Sequence, residues 1–347
     1  MDENASRPVF ARRRIGRTPL EITTLGLGGA TLAGNFTAVP AEQARATVSR
    51  ALEAGITYFD TAPQYGYGRS EHFVGDALRF RREGTVLSTK VGRLLRPVRS
   101  ESERTYPHGW VDPFPFEQVY DYSYDAVMRS VEDSLQRLGL AAVDILYVHD
   151  IGAMTHGVEG NKPLWKQLEA GGYRALEELR RHNVVSAIGL GVNEWEVLME
   201  ALELGEWDVF LLAGRYTLLE QTSLDPFLSA CVARGASVVV GGPFNGGALM
   251  GTGMWNYAKA PEHVVRRVHE LEAVCAEFGV PIGAAALQFP LAHPAVCNIL
   301  PGPKSPAELD GILAWWETAI PEPFWDALAQ RGLVAAGAPL PNGKVAG

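Results

Sequence analysis

The chain has 347 residues, 47% hydrophobic and 20% charged, with a formal net charge of −9. That is globular composition, not disordered or fibrous, and the acidic balance disfavours nucleic acid or an anionic membrane as partner. Cys231, Cys275 and Cys297 stand far apart without CxxC spacing, which argues against a disulfide framework or zinc site and fits a reducing compartment. No run approaches about 18 apolar residues and the N-terminus lacks a signal-peptide core, so a soluble cytoplasmic protein is expected.

Taken in order, residues 1–13 carry a basic cluster that reads as a flexible, solvated arm. Strand-like runs follow at 21–29, 56–60, 85–90, 143–150, 185–192, 207–214, 236–242 and 296–302. Their apolar residues run continuously and do not alternate, as in parallel strands buried on both faces. Helical patterns lie between them, at 41–55 and from Ser70 through Phe80, then at 123–139, 163–182, 194–204, 222–234, 261–278 and 306–318. Gly55 and Gly139 read as helix stops and Ser70 as a cap. Eight strands each followed by a helix predict an α/β fold, a single (β/α)8 TIM barrel, with 335–347 as a C-terminal tail. A doubly wound sheet is the competing architecture. It requires a GxGxxG turn, and both "GLGGAT" (26–31) and "GLGVNE" (189–194) lack the third glycine. The aromatic, proline-rich stretch 91–120 has no clear periodicity and reads as the loop after the third strand.

Barrel chemistry is placed at the C-terminal ends of strands. Those ends carry Asp60 with Tyr65 just beyond, then Lys90, then His149 and Asp150. A phenol with an ordinary pKa near 10 exchanges protons poorly at neutral pH unless a cation stabilises the phenolate. Lys90 supplies that cation in this reading, Asp60 holds it charged, and His149 hydrogen-bonds a substrate oxygen. No side chain donates hydride, so a nicotinamide cofactor is implied. Each residue has a plainer reading alone: Asp60 as turn punctuation, Tyr65 as packing, Lys90 as a surface lysine, His149 as a rim histidine. A metal site on Asp60, His149 and Asp150 lacks the HxH pair that barrel hydrolases use, and no metal is expected.

With these residues in view, "FDTAPQYGYGRSE", "LSTKVG", "VDILYVHD", "LPGPKSPAELD" and the opening "LGLGG" resemble the aldo-keto reductases in order and spacing, over about residues 14–320. The resemblance implies that Asp60, Tyr65, Lys90 and His149 form the catalytic tetrad, with Tyr65 as acid–base and Tyr67 as the rival phenol. "DYSYDAVMRSVEDSLQRLGL", "AIGLGVNEW", "LLAGRYTLLEQ" and "VVVGGPFNGGAL" are similar to the bacterial aldose 1-dehydrogenases, a group including L-fucose, D-threo-aldose and pyridoxal 4-dehydrogenases. These oxidise a cyclic hemiacetal carbon to a lactone with NAD or NADP. An NADPH-dependent carbonyl reductase of small aldehydes and a non-catalytic regulatory barrel are the alternatives.

The same resemblance places Gly28 and Gly29 beside the nicotinamide ribose and Asn193 at its carboxamide. Pro243, Phe244, Asn245, Gly246 and Gly247 would cradle the pyrophosphate, and Pro301 and Gly302 would line the same cleft. The family's stacking aromatic falls at Gly241 and its glutamine at Ala213, so Tyr216 or Phe244 is expected to hold the nicotinamide ring. Lys304 and Ser305 match contacts to the adenosine 2′-phosphate, but Glu308 would repel that phosphate and accept from a 2′-hydroxyl, which favours NAD. Trp110, Asp112 and Asp150, with the wall 151–161, are the substrate-binding candidates, an aromatic face and hydroxyl acceptors for a sugar or pyridoxal. No nucleic-acid or membrane partner is expected, and a monomer or small homo-oligomer is.

Overall fold

A computed structural model describes residues 10–99, 109–256 and 258–347. Residues 1–9 of the expected arm and 100–108 of the long loop lie outside the described residues. The central sheet has eight strands, Leu27–Gly28, Tyr58–Asp60, Val86–Val91, Ile145–His149, Ala187–Val192, Val209–Ala213, Ser237–Gly241 and Val296–Leu300, each pairing in parallel with its chain neighbour. A parallel bridge from Leu25 to Ile299, with Gly26 N donating to Ile299 O at 2.9 Å and Gly28 N to Pro301 O at 2.9 Å, joins the last strand to the first. The sheet is therefore a barrel with its edges paired, as the strand count predicts.

Unbroken apolar strands make two cores. Outward side chains such as Phe59, Leu87, Leu146, Ile188 and Val238 pack under the helices. Inward ones, Tyr58, Ile145, Tyr147, Val209 and Val239 among them, fill the barrel together with Ile15 and Ile22. Those two isoleucines come from an antiparallel hairpin, Arg12–Arg14 with Glu21–Thr23, that plugs the N-terminal mouth. The expected strand 21–29 is thus two pieces with a break at Thr24–Gly26, and Arg12 and Arg13 of the expected arm belong to the plug.

The helices Ala41–Ala54, Tyr124–Leu138, Glu196–Leu204, Glu262–Phe278 and Pro306–Trp316 follow the sequence pattern. Ser123 Oγ accepts from Ala126 N and Gly139 ends its helix at φ +63°, a left-handed turn that glycine takes without a Cβ clash. Ser70 does not cap. It lies inside the helix Arg69–Leu78, accepting from Thr61 Oγ1 and donating to Gly29 O, both at 2.8 Å, so it ties the first two βα loops together. The stretch 163–182 is part of a longer run, Val158–Gln167, a π-helical turn Leu168–Gly172 and Tyr173–Arg181, while 222–234 holds only Ser229–Arg234 as regular α-helix.

The long loop contains a hairpin, Arg93–Pro97 against Phe116–Tyr120, whose ends are separated by too many residues to show a turn signal. Two further helices, Ile282–Gln288 and Glu322–Gln330, lie outside the one-strand, one-helix alternation. Residues 335–347 fold back on the barrel with Ala338, Leu340 and Ala346 buried, and so do not hang free as a tail. Among the described residues no single helix is long and apolar enough to cross a membrane.

Candidate active site

Asp60 ends the second strand and Lys90 stands near the end of the third, so parallel pairing sets their side chains side by side in the barrel mouth. Lys90 Nζ donates to Asp60 Oδ1 (2.8 Å) and Oδ2 (2.6 Å) and to Thr61 O (2.9 Å), and both residues are almost fully buried. Ser88 Oγ donates to Asp60 Oδ1 at 2.6 Å. Burial raises the Asp60 pKa and lowers that of Lys90, and each partner's charge opposes the other's shift. A Cβ at Gly191 would come within 3.3 Å of Lys90 Cε, so a glycine on the fifth strand leaves room for the lysine stem. Beneath them Tyr58 and Tyr147 share a 3.1 Å hydrogen bond, and burial raises both their pKa values well above 10, keeping these phenols protonated.

Tyr65 lies over this pair, its ring centroid 4.8 Å from Lys90 Nζ. Its ring meets His149 edge-on at 5.7 Å and tilts against Trp110 at 5.9 Å. Tyr65, Lys90, His149, Asp150 and Trp110 line one cavity of about 370 Å³. Tyr67, the rival phenol, is buried outside it in a cluster with Ala33 and Trp110. The Trp110 indole N–H has no hydrogen-bond partner among the described residues.

The fourth strand ends in an electrostatic knot. Asp150 accepts from Arg93 Nη2 through Oδ2 and from Asn193 Nδ2 through Oδ1 at 3.2 Å, with His149 Nε2 3.4 Å from Oδ2. Arg93 is 1% exposed, donates to Gln118 Oε1 at 3.2 Å and stacks over Tyr120 at 5.2 Å. It lines the cavity with Asn35, Gln64 and Asn256, none of which the sequence reading singled out. Arg93 had a weak signal, a charged residue just past the glycine after "STKV". Asn35 and Asn256 had none, since each comes from a different, distant loop.

A second cleft of about 230 Å³ runs on from the cavity, sharing Asn35, Tyr65, Asn193 and Asn256 with it. Gly28, Gly29, Asn245, Gly246 and Gly302 line this cleft as expected, and Pro301 O accepts from Gly28 N at its edge. Gly242 also lines it at φ +56°, and a Cβ there would meet nothing within 4 Å, so this backbone edge opens into the groove. A glycine-walled groove leading to a buried cation and a phenol fits a dinucleotide with its nicotinamide end at Tyr65.

Several expected contacts fall elsewhere. Tyr216 is fully buried against Phe289 and His293, and Phe244 packs on Trp315, so neither ring lines the groove; Leu211, Ala213 and Gly241 do. Pro243 is buried and does not line the cleft, and a Cβ on Gly247 would point at Thr252 Oγ1, 2.5 Å away. Asp112 is exposed on the outside of the Trp110 loop and does not line the cavity. Lys304, Ser305 and Glu308 sit at the start of Pro306–Trp316, where Ser305 Oγ accepts from Glu308 N (3.1 Å), Glu308 Oε2 accepts from Lys304 N (2.8 Å) and Lys304 Nζ donates to Thr37 Oγ1 (3.2 Å).

Residues 24–331 match the profile of the Aldo/keto reductase family. The chain belongs to that family. As an aldo-keto reductase it is 45% identical over 338 residues to pyridoxal 4-dehydrogenase of Microbacterium luteolum, covering 93% of this chain and 98% of that one. It is 34% identical to D-threo-aldose 1-dehydrogenase of a Pseudomonas species, over 91% of this chain and 95% of the other. L-Galactose dehydrogenase of Arabidopsis thaliana shares 28% over 87% and 86%. Among solved structures, an aldo-keto reductase of Bacillus halodurans in its holo form superposes with a TM-score of 0.71 at 24% identity, covering 94% of this chain and 97% of that one, a likeness of fold alone. This aldo-keto reductase is an oxidoreductase, and its family works with nicotinamide cofactors.

Proposed function

We propose that this enzyme oxidises the hemiacetal carbon of a ring-closed aldehyde, pyridoxal or an aldose such as L-fucose, L-galactose or a D-threo sugar, to a lactone, with NAD as the preferred cofactor. The observation that carries the reading is the sharing of one cavity by Tyr65 and Lys90, with the ammonium 4.8 Å from the phenol ring. The similarity to pyridoxal and aldose dehydrogenases along nearly the whole chain supports the substrate class.

A nicotinamide held in the glycine-walled groove would supply the hydride acceptor. Tyr65 takes the proton of the anomeric hydroxyl, and the fixed charge of Lys90 stabilises the negative oxygen formed on the phenol. Asp60 keeps the ammonium charged and aimed. His149 hydrogen-bonds the substrate oxygen and the knot of Asp150, Arg93 and Asn193 holds that end of the strand in place. Trp110, which lines the cavity beside Tyr65, offers an aromatic face to the substrate ring. Loss of one hydride and one proton leaves a carbonyl at the ring carbon, the lactone. For the cofactor, the Glu308 carboxylate beside the Lys304 backbone disfavours a 2′-phosphate.

A cofactor-by-substrate matrix tests this, with NAD and NADP each paired with pyridoxal, L-fucose, L-galactose and small aldehydes. NAD-linked lactone formation is expected. NADPH-linked reduction of small aldehydes alone would replace the reading with a carbonyl reductase, and no turnover at all would favour a regulatory barrel. In the same assay Tyr65→Phe is expected to lower turnover by about 10²–10⁴-fold while cofactor binding persists.

A further inference from the structure

Arg69 lies four residues beyond Tyr65, at the first position of the helix Arg69–Leu78, and does not line the cavity. It is 8% exposed. Among the described residues its hydrogen bonds go to backbone carbonyls and not to a carboxylate. Nη1 donates to Val111 O (2.8 Å) and Asp112 O (2.9 Å), with Ala33 O at 3.5 Å, and Nη2 donates to Val39 O (3.1 Å). Its guanidinium also lies 5.3 Å from the centroid of the Phe73 ring.

The acceptors belong to two loops from different parts of the chain, one after the first strand and one reaching in from the long insertion. These loops are paired as a short antiparallel ribbon. Asn35 bridges Trp110, Phe36 N donates to Gly109 O (2.8 Å) and Val111 N donates to Gly34 O (2.9 Å). The approach is close enough that a Cβ on Gly34 would sit 2.6 Å from Val111 O. Asn35 and Trp110, the bridged pair, both line the substrate cavity.

We propose that Arg69 is a positioning residue that fixes this ribbon as the substrate wall, and thereby sets the affinity for ring-shaped substrates without touching them. Loops on a barrel rim are mobile unless tied down. A planar guanidinium with five fixed N–H groups spans carbonyls of two loops at once, whereas an ammonium on a flexible stem does not hold that span. Among the described residues the Trp110 end of the long loop is also held by the ribbon pairing, by Phe114 N donating to Gly66 O at 3.1 Å and by packing of Trp110 and Phe114 with Ala33 and Tyr67. The guanidinium joins the two loops beside Trp110, and its fork sets how that ring lies against Tyr65.

The substrate part of the test rests on the proposed function; the structural part does not. Arg69→Lys and Arg69→Met would be made in the full chain and compared with the parent protein. With pyridoxal and L-galactose, KM is expected to rise about tenfold while kcat changes less than about twofold, and reduction of methylglyoxal, too small to reach the wall, keeps its KM. Amide hydrogen exchange is expected to quicken in peptides spanning 30–39 and 109–114 and to stay unchanged in the strands Ile145–His149 and Ala187–Val192. Arg69→Lys behaves like Arg69→Met, because retained charge does not replace the fork. Unchanged exchange in both loops overturns the proposal, as does faster exchange spread evenly through the barrel, which marks a general loss of stability. If the parent protein turns over neither substrate, the reading of function fails and the exchange pattern alone decides the clamp.

Discussion

Lys90 depends on its neighbours for its charge. Buried in the barrel mouth, its ammonium has three oxygen acceptors, two of them on Asp60. Removing one member of a buried ion pair strands the other, at a cost of about 3–5 kcal/mol, whereas removing both costs less. Lys90→Met is therefore expected to lower unfolding free energy by that order, and Asp60→Asn combined with Lys90→Met to recover part of it. Urea unfolding of Lys90→Met, Asp60→Asn and the double variant checks this; strictly additive losses would mean that the pair is not coupled. At this scale the sequence was informative where a polar residue interrupts an apolar run. Asp60, Lys90 and His149 stand out for that reason; Lys90 and His149 line one cavity with Tyr65, and Asp60 lies beneath, bonded to Lys90. Side-chain direction was not legible. Tyr216 and Phe244 lie near the groove in sequence but turn into the helical layer, and Asp112 faces out while its carbonyl meets Arg69.

Among elements, the parallel strands were the most legible, because burial on both faces leaves apolar residues at every position. The hairpins were not. The plug Arg12–Arg14 with Glu21–Thr23 has a polar, arginine-rich first strand, and the pairing of Arg93–Pro97 with Phe116–Tyr120 spans an insertion with no local turn signal. The helix Pro306–Trp316 carries a prediction of its own. Ser305 caps it, its hydroxyl accepting from Glu308 N, and the Glu308 carboxylate accepts from Lys304 N just before the cap. Glu308→Arg loses the second of these bonds, which is expected to cost about 0.5–1 kcal/mol of stability. If the proposed cofactor placement holds, it also puts a cation beside the 2′-phosphate, so the ratio of kcat/KM with NADP to that with NAD is expected to rise at least about tenfold. An unchanged cofactor ratio would show that Glu308 serves the helix alone.

For the whole molecule, burial in the interior disfavours the charged form of a histidine. Burial lowers the His293 pKa to about 4, and its Nδ1 accepts from Ala295 N at 3.2 Å, so the folded protein holds it neutral. An unfolded histidine titrates near 6.5. The depressed folded value contributes stability above pH 6.5 that is lost as pH falls from about 6.5 to about 4, with a slope of at most about 1.4 kcal/mol per pH unit. His293→Asn keeps an acceptor for Ala295 and does not titrate, so the acid limb of a stability-against-pH curve is expected to flatten in that window. An identical limb would assign the acid sensitivity to other groups.

The sequence by itself determined the periodic parts: eight buried strands, most of their helices, and the polar residues at strand ends that gather at the barrel mouth. Those features are local, since burial on both faces and the chemistry of a strand end are written into adjacent residues. Only the tertiary structure decided how the mouth is walled. Arg93 meets Asp150, Asn35 meets Trp110 and Arg69 binds two loops, each across a long separation in chain. Such contacts depend on how a closed sheet brings distant loops to one rim, and no periodicity records that.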